Sequence, residues 1–168
     1  APELPSAGRM YENQNCINTT AMKKFLFTAL ALLLVAGAAF ADGRERPIGL
    51  KELPEAARKF LEQHFDSLTV AYAVEDVKPF GTEYEVVYTD RTEVDFRRDG
   101  QWKSVERRYA PVPAAIVPQP ISDFLAENNL SGQFIRKLDR DPYTWEIELS
   151  GGLEVKFDQR FNVLGYDD

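Results

Sequence analysis

The strongest constraint on the fold is a strand–turn–strand pattern that occurs twice in the chain. In residues 82–102 apolar residues alternate with charged ones on both sides of a turn, and residues 143–163 carry a diverged copy. Alternation with period two is typical of strands that bury one face, and such strands need hydrogen-bonded neighbours. The pattern therefore predicts antiparallel hairpins at both places.

A helix is predicted ahead of each of these regions. Apolar residues recur at helical spacing from Leu53 to Phe65, and again after Pro118, with a proline in the first turn each time. Ser131 and Gly132 predict the end of the second helix. Further strands are predicted over residues 68–77, 101–108, 133–138 and 163–166.

The two halves align with each other at nearly constant spacing. The helical residues Pro54, Phe60 and Leu61 match residues 64 positions later, and the strand residues match residues 61 positions later: Tyr84 with Trp145, Val86 with Ile147, Tyr88 with Leu149, Val94 with Val155, and Phe96 with Phe157. This predicts a tandem repeat of a helix followed by antiparallel strands, with repeats at 50–109 and 118–168. The proline-rich residues 110–117 are predicted to be a stiff connector.

Several short motifs carry a resemblance to a known family: Leu53-Pro54, Phe60-Leu61, Tyr84-Glu85-Val86, Val94-x-Phe96, Asp99-Gly100 and Trp102. On these residues the chain resembles the PepSY-like repeats of secreted bacterial proteins, from Leu50 to the C-terminus. That family is similar in fold to β-lactamase-inhibitor protein. The resemblance implies an α+β fold of two tandem helix-plus-antiparallel-sheet repeats. It supplies no catalytic residues and implies protein binding or inhibition.

The N-terminal residues predict export. Met22, Lys23 and Lys24 precede an apolar run over residues 25–37, and Ala39-Phe40-Ala41 is a small-x-small cleavage site. This predicts a cleavable signal peptide over residues 22–41. The alternative, a membrane anchor, needs a run of about 20 apolar residues, and this run is shorter. We therefore expect a periplasmic or secreted protein that is free of the membrane after cleavage.

The segments on either side of the predicted signal peptide have separate interpretations. Residues 1–21 lie upstream of the start-like Met22 and are expected to be a non-native upstream segment. They contain Cys16, the sole cysteine, so a chain cleaved after Ala41 would have no disulfide. Residues 42–49 are expected to be a polar linker that frays.

Charge and residue types exclude several function classes. The formal net charge is −7, which argues against nucleic acid, because phosphate binding needs clustered lysine and arginine. The single histidine, His64, lies on the first predicted helix, and the sequence has neither a nucleophile elbow nor a phosphate loop. We therefore expect no enzymatic activity, no cofactor and no metal site. A hydrolase would require His64 beside a carboxylate in a deep pocket.

Calcium binding is a separate possibility. Asp139, Asp141 and Asp158 could surround calcium, but EF-hand spacing is absent. Aspartates in turns usually accept hydrogen bonds from their own backbone instead.

One set of residues is predicted to form a binding surface. In the hairpins the residues that alternate with the apolar set point away from the helices, and eight of the ten are acidic: Glu83, Glu85, Glu93, Asp95, Arg97, Glu146, Glu148, Glu154, Lys156 and Asp158. Such a face would attract a protein or peptide with a basic surface. It would equally serve as a solvated face that keeps the protein soluble. The leading hypothesis is a protein- or peptide-binding module, with inhibition as one form; the alternative is a small-ligand or calcium-binding envelope protein.

Overall fold

A computed structural model describes residues 45–79 and 81–167, all of them within the unit that spans residues 40–168. The predictions for residues 1–41 lie outside the described residues. The described part contains one antiparallel sheet of nine strands in sequential order. The strands are β1 (Glu45–Pro47), β2 (Val70–Lys78), β3 (Gly81–Tyr88), β4 (Thr92–Arg97), β5 (Trp102–Arg107), β6 (Ile135–Arg140), β7 (Thr144–Leu149), β8 (Glu154–Asp158) and β9 (Val163–Asp167). The two α-helices of this part are α1 (Glu55–Phe65) and α2 (Gln119–Glu127), and short 3-10 turns occupy Leu50–Glu52 and Ala114–Ile116.

Helix α1 begins where the sequence predicts it and covers the first half of the sheet. Pro54 caps its start, and Glu55 places a negative charge at the positive end of the helix dipole. The buried face consists of Ala57, Leu61 and Phe65. The Phe65 ring centre lies 5.8 Å from that of Tyr88 on β3, and burial of these rings in the core holds α1 on the sheet.

Helix α2 covers the second half of the sheet and ends earlier than predicted. Ile121 is fully buried, and Phe124 meets Phe157 of β8 edge to face at 5.2 Å. The predicted end at Ser131 and Gly132 is wrong, because the helix ends at Glu127. The Asn128 side chain donates to the Phe124 carbonyl at 2.8 Å and Asn129 adopts a φ of 57°, so an asparagine pair supplies the stop instead of glycine.

The sheet is continuous across the two halves. Strand β5 pairs with β6 through Ser104–Asp139, Val105–Leu138 and Glu106–Lys137. The predicted alternation is confirmed in the central strands, where every second residue is fully buried on the side of the helices: Val86, Val94, Phe96, Val105, Leu138, Ile147, Leu149, Val155 and Phe157. The residues between them therefore form a second face opposite the helices, which we call the helix-free face.

Two segments differ from expectation. Residues 45–47, expected to belong to a fraying linker, form β1 and pair with β2, and the Arg46 side chain contacts Glu75 and Glu52 at 2.9 Å each. Strand β6 extends to Arg140, two residues beyond the end of the strand predicted over residues 133–138. The Arg140 guanidinium lies 4.3 Å from the Trp102 ring centre and donates to the Trp102 carbonyl at 2.9 Å. Arg140 also pairs with Trp145 of β7, so backbone pairing extends β6 and the contacts with Trp102 add to it.

Candidate functional site on the helix-free face

The ten predicted site residues lie on β3, β4, β7 and β8. All ten are at least partly exposed, whereas most of the apolar residues that alternate with them are buried. Cross-strand pairing brings them into rows. Glu85 lies opposite Asp95, and Glu83 lies opposite Arg97. In the second half Glu146 lies opposite Lys156, and Glu148 lies opposite Glu154. The strand alternation thus arranges these side chains as the sequence predicts, although their role stays a prediction.

Basic residues from neighbouring strands, and one from β8 itself, neutralise much of this face. Lys103 of β5 contacts Glu83 at 2.9 Å, and Lys78 of β2 contacts the same carboxylate. Arg136 of β6 pairs with Glu148, and Lys156 contacts Glu146 at 3.1 Å. The face is therefore less uniformly acidic than the hairpin residues alone predict.

Asp158 and Arg97 have contacts beyond the face. The Asp158 carboxylate accepts hydrogen bonds from the backbone N–H groups of Arg160 and Asn162 and from the Asn162 side chain, at 2.7–2.9 Å. These bonds, the Asn162 side chain first, lower the pKa of Asp158. The Arg97 guanidinium donates to the carbonyls of Arg140 and Trp102. Both side chains therefore stabilise loops and strand junctions.

Three carboxylates on β3 and β4 form what we call the carboxylate cluster: Glu85, Glu93 and Asp95. One oxygen of each lies within 4.8 Å of the others. Among the ion pairs of the described residues, none involves these three side chains. The Tyr72 hydroxyl of β2 lies 3.4 Å from a Glu85 oxygen and donates to it. The three carboxylates of the cluster therefore lie close together without a directly bound ammonium or guanidinium group.

The surroundings of the cluster disfavour ionisation. Burial, and then repulsion from Glu85, Asp95 and Glu106, raises the pKa of Glu93 to about 7. Burial and the Glu85 carboxylate raise the pKa of Asp95 to about 6. Burial also raises the pKa of Glu85. A cation bound at the cluster would therefore stabilise the ionised forms of these carboxylates.

Glu83, on the same strand, shows the effect of basic partners. Burial raises its pKa, but hydrogen bonds from Lys78 and Lys103 outweigh burial and hold the pKa of Glu83 below its usual value. Glu93 has no such hydrogen bond, and the attraction of Lys137 does not offset burial and the repulsion from its carboxylate neighbours.

Other candidate residues are separated. Lys137 contacts Asp139 at 3.3 Å, Arg97 lies 4.0 Å from Asp141, and Asp158 is bound to Asn162, so these three aspartates each have their own partner. His64 packs its ring 4.7 Å from that of Phe60, on α1. Within residues 45–79 and 81–167 no ion pair joins His64 to a carboxylate. Sequence reasoning did not single out Tyr72, because its contact with Glu85 depends on the register between β2 and β3.

No helix in the described residues has the length and apolar character needed to cross a membrane.

Comparison with known proteins gives one family and several solved structures. A family model described as "Putative beta-lactamase-inhibitor-like, PepSY-like" matches residues 82–165. Comparison with curated proteins gives no match.

Three crystal structures are similar over most of the chain. A "putative periplasmic protein" from Bacteroides vulgatus is 35% identical, with a TM-score of 0.71, and the match covers 74% of this chain and 97% of that one. A "putative calcium-regulated periplasmic protein" from Bacteroides thetaiotaomicron is 33% identical, with a TM-score of 0.71, and covers 76% and 99%. A second Bacteroides vulgatus protein, described as periplasmic and of unknown function, is 32% identical, with a TM-score of 0.70, and covers 74% and 99%.

Proposed function

The chain belongs to the PepSY-like, β-lactamase-inhibitor-like family, and we propose that it is a non-catalytic periplasmic binding protein whose helix-free face takes a cationic segment of a peptide or protein. The family was expected from the sequence motifs, and its structural relatives are described as periplasmic. The observation that carries the proposal is the carboxylate cluster. Its three side chains converge on one face of the sheet, and none of them forms an ion pair among the described residues.

The electrostatics of the face select the sign of the partner. Carboxylates elsewhere on the face, such as Glu83, Glu146 and Glu148, already have ammonium or guanidinium partners. A lysine or arginine of a partner would gain most at the cluster, because it would relieve the repulsion there. A charge-assisted hydrogen bond of this kind contributes about 1.5–3 kcal/mol.

We also infer that the two halves are copies of one unit. Each half has a helix followed by four strands, and the turns of the first half match those of the second at a spacing of 61 residues. Arg91 has a positive φ of 66°, and its counterpart Gly152 has one of 95°. In the next turn Gly100 has a φ of 79°, and its counterpart Phe161 has one of 62°. Only the first copy has an acidic residue at the position of Asp95, because its counterpart is Lys156, which pairs with Glu146. The first copy is therefore the one that we assign to binding, with inhibition of a partner as one outcome.

A charge-matched pair of double variants tests the site. The probe is pentalysine with a fluorescent label, followed by fluorescence anisotropy at low ionic strength. We expect Glu93→Gln/Asp95→Asn to weaken binding by about tenfold, which corresponds to about 1.4 kcal/mol. The control, Glu146→Gln/Glu148→Gln, removes two negative charges that already have partners and should change the affinity less than about threefold. Equal losses in the two variants would show that pentalysine senses only net charge and would exclude the cluster as its site.

Calcium is a second candidate ligand. The cluster offers carboxylate oxygens within 4.8 Å of one another, and calcium binds oxygen ligands at about 2.3–2.6 Å, so these oxygens lie close enough to share one ion. The Bacteroides thetaiotaomicron relative is described as calcium-regulated. The residues that would hold the ion are Glu85, Glu93 and Asp95.

Thermal unfolding with and without calcium tests this candidate. We expect calcium to raise the melting temperature, a chelator to reverse the rise, and Glu93→Gln to abolish it, since binding to the folded state alone stabilises it. Magnesium at the same concentration serves as the control for ionic strength. A calcium response that survives in Glu93→Gln would place the ion elsewhere, and equal responses to both ions would exclude a calcium site here.

A further inference from the structure

A second feature with binding character lies at one end of the sheet. An open cavity of about 450 Å³ lies beside the β3–β4 turn and the chain that leaves β5. Residues 89–92 form one wall and residues 107–110 the other. Pockets for small ligands commonly have volumes of about 300–1,000 Å³, so the cavity has room for a small organic molecule. It does not include any residue of the carboxylate cluster.

The cavity is basic in an acidic protein. Its lining includes Arg91, Arg107 and Arg108 and a single carboxylate, Asp90, whereas the chain as a whole has a formal net charge of −7. Arg107 has a structural role. Its guanidinium lies 3.6 Å from Asp90 and donates to the Thr92 hydroxyl at 3.3 Å and to the Pro111 carbonyl at 3.1 Å. Arg107 thereby joins the two walls and neutralises Asp90.

The other two arginines remain without an acidic partner among the described residues, and both lie beside one aromatic ring. Arg91 donates to the Tyr109 hydroxyl at 3.4 Å. The guanidinium carbon of Arg108 lies 5.8 Å from the centre of the Tyr109 ring. Tyr109 itself is 69% exposed. Guanidinium groups present planar sets of N–H donors that match the oxygens of carboxylates and phosphates, and the open ring offers an apolar surface beside them.

Arg91 occupies a backbone position that is unfavourable for arginine. Its φ is 66°, and its N–H donates to the Tyr88 carbonyl at 3.0 Å to close the turn. In the β7–β8 turn, 61 residues later, Gly152 has a φ of 95° and makes the same bond to Leu149 at 2.9 Å. The left-handed conformation costs a residue with a side chain about 1–2 kcal/mol. Such strain is found preferentially where the side chain has a function.

We propose that this cavity binds an oxyanion on a small organic body, either a carboxylate or a phosphomonoester, with the anion held by Arg91 and Arg108 and the body packed against Tyr109. The proposal does not depend on the function proposed for the helix-free face, because the two regions share no residue.

Calorimetric titration at constant ionic strength tests the proposal with three probes: phenyl phosphate, benzoate and inorganic phosphate. We expect saturable binding of at least one aromatic probe. Arg108→Gln and Arg91→Gly should each weaken it by about tenfold or more. Arg91→Gly should remain folded, because glycine accepts a φ of 66° without strain. Tighter binding of phenyl phosphate than of benzoate would assign the site to phosphomonoesters, and the reverse order to carboxylates; either supports the proposal.

Two controls separate the cavity from general attraction of anions. Arg58→Gln removes an exposed charge from α1, away from the cavity, and should leave the affinity unchanged. Tyr109→Ala should weaken the aromatic probes relative to inorganic phosphate. The proposal would be overturned if no probe bound saturably at millimolar concentration, or if Arg58→Gln reduced the affinity as much as Arg108→Gln.

Discussion

At the residue scale, Gly100 is a position where the backbone leaves no room for a side chain. It lies in the β4–β5 turn with a φ of 79°, and a Cβ there would be 2.8 Å from the Cβ of Pro54 and 3.0 Å from the backbone nitrogen of Ala57. We expect Gly100→Ala to lower the free energy of unfolding by about 3 kcal/mol, because backbone strain adds to a clash with the start of α1. Urea denaturation measures the loss.

Gly152→Ala is the matched control for Gly100→Ala. Gly152 has a φ of 95°, but a Cβ there would meet no atom within 4 Å. This variant should lose only the strain contribution, about 1–2 kcal/mol. Equal losses at the two positions would contradict the inference that Gly100 is needed for close packing of α1 against the turn.

Single residues also show what the sequence could predict of the candidate site and what it could not. Strand alternation sufficed to place Glu85, Glu93 and Asp95 on one face. It could not tell them from Glu146 and Glu148, which have the same pattern but have basic partners. Partners such as Arg136 come from a different strand, so pairing depends on a register that local sequence does not determine.

At the element scale, α2 depends on very few contacts. Ile121 is fully buried against the sheet, whereas Leu125, one turn later, is only partly buried. We expect Ile121→Ala to cost about 3 kcal/mol and Leu125→Ala about 1 kcal/mol, since the cost follows the buried volume removed. Urea denaturation of both variants checks the ratio. Equal costs would indicate that α2 packs on a different face from the one described.

The helices and most strands were predictable because their apolar periods are clear, whereas the exceptions depend on side-chain contacts. The end of α2 follows from the Asn128 side chain binding the Phe124 carbonyl. Strand β1 exists because residues 45–47 find a pairing partner in β2. Local sequence favours a linker at β1, since polar residues and proline are poor strand formers in isolation.

At the scale of the whole molecule, one sheet continues through both halves, and this gives the protein a single helix-free face. The sheet is continuous because Ser104, Val105 and Glu106 of β5 pair with residues of β6. The hairpin pattern left open whether the halves share a sheet or lie side by side, because pairing between distant strands is not encoded in their alternation. The continuous sheet places Lys137 of β6 near Glu106 of β5 and links the charges of the two halves.

The charge distribution predicts an optimum of stability on the acid side of neutrality. The pKa of Glu93 is raised from 4.5 to about 7 and that of Asp95 from 3.8 to about 6. At pH values between the ordinary and the raised pKa of each group, the folded state therefore binds more protons than the unfolded state. The free energy of unfolding must therefore fall as the pH rises through this range. In the opposite direction, the pKa values of Glu52 and Asp158 are lowered, so their contributions are lost in acid.

We expect the free energy of unfolding to be greatest near about pH 5 and to fall by about 1–2 kcal/mol towards about pH 8, after allowance for solvent screening. Glu93→Gln removes one of the crowded charges, so this variant should be more stable than the parent at pH 8 and should show a flatter pH profile. Glu62→Gln, an exposed change on α1, should follow the parent profile. Urea denaturation across this range provides the comparison.

If Glu93→Gln retained the slope of stability against pH that the parent shows, the repulsion on β3 and β4 would not be the source of the pH dependence. The electrostatic argument for a cation at the carboxylate cluster would then lose its basis.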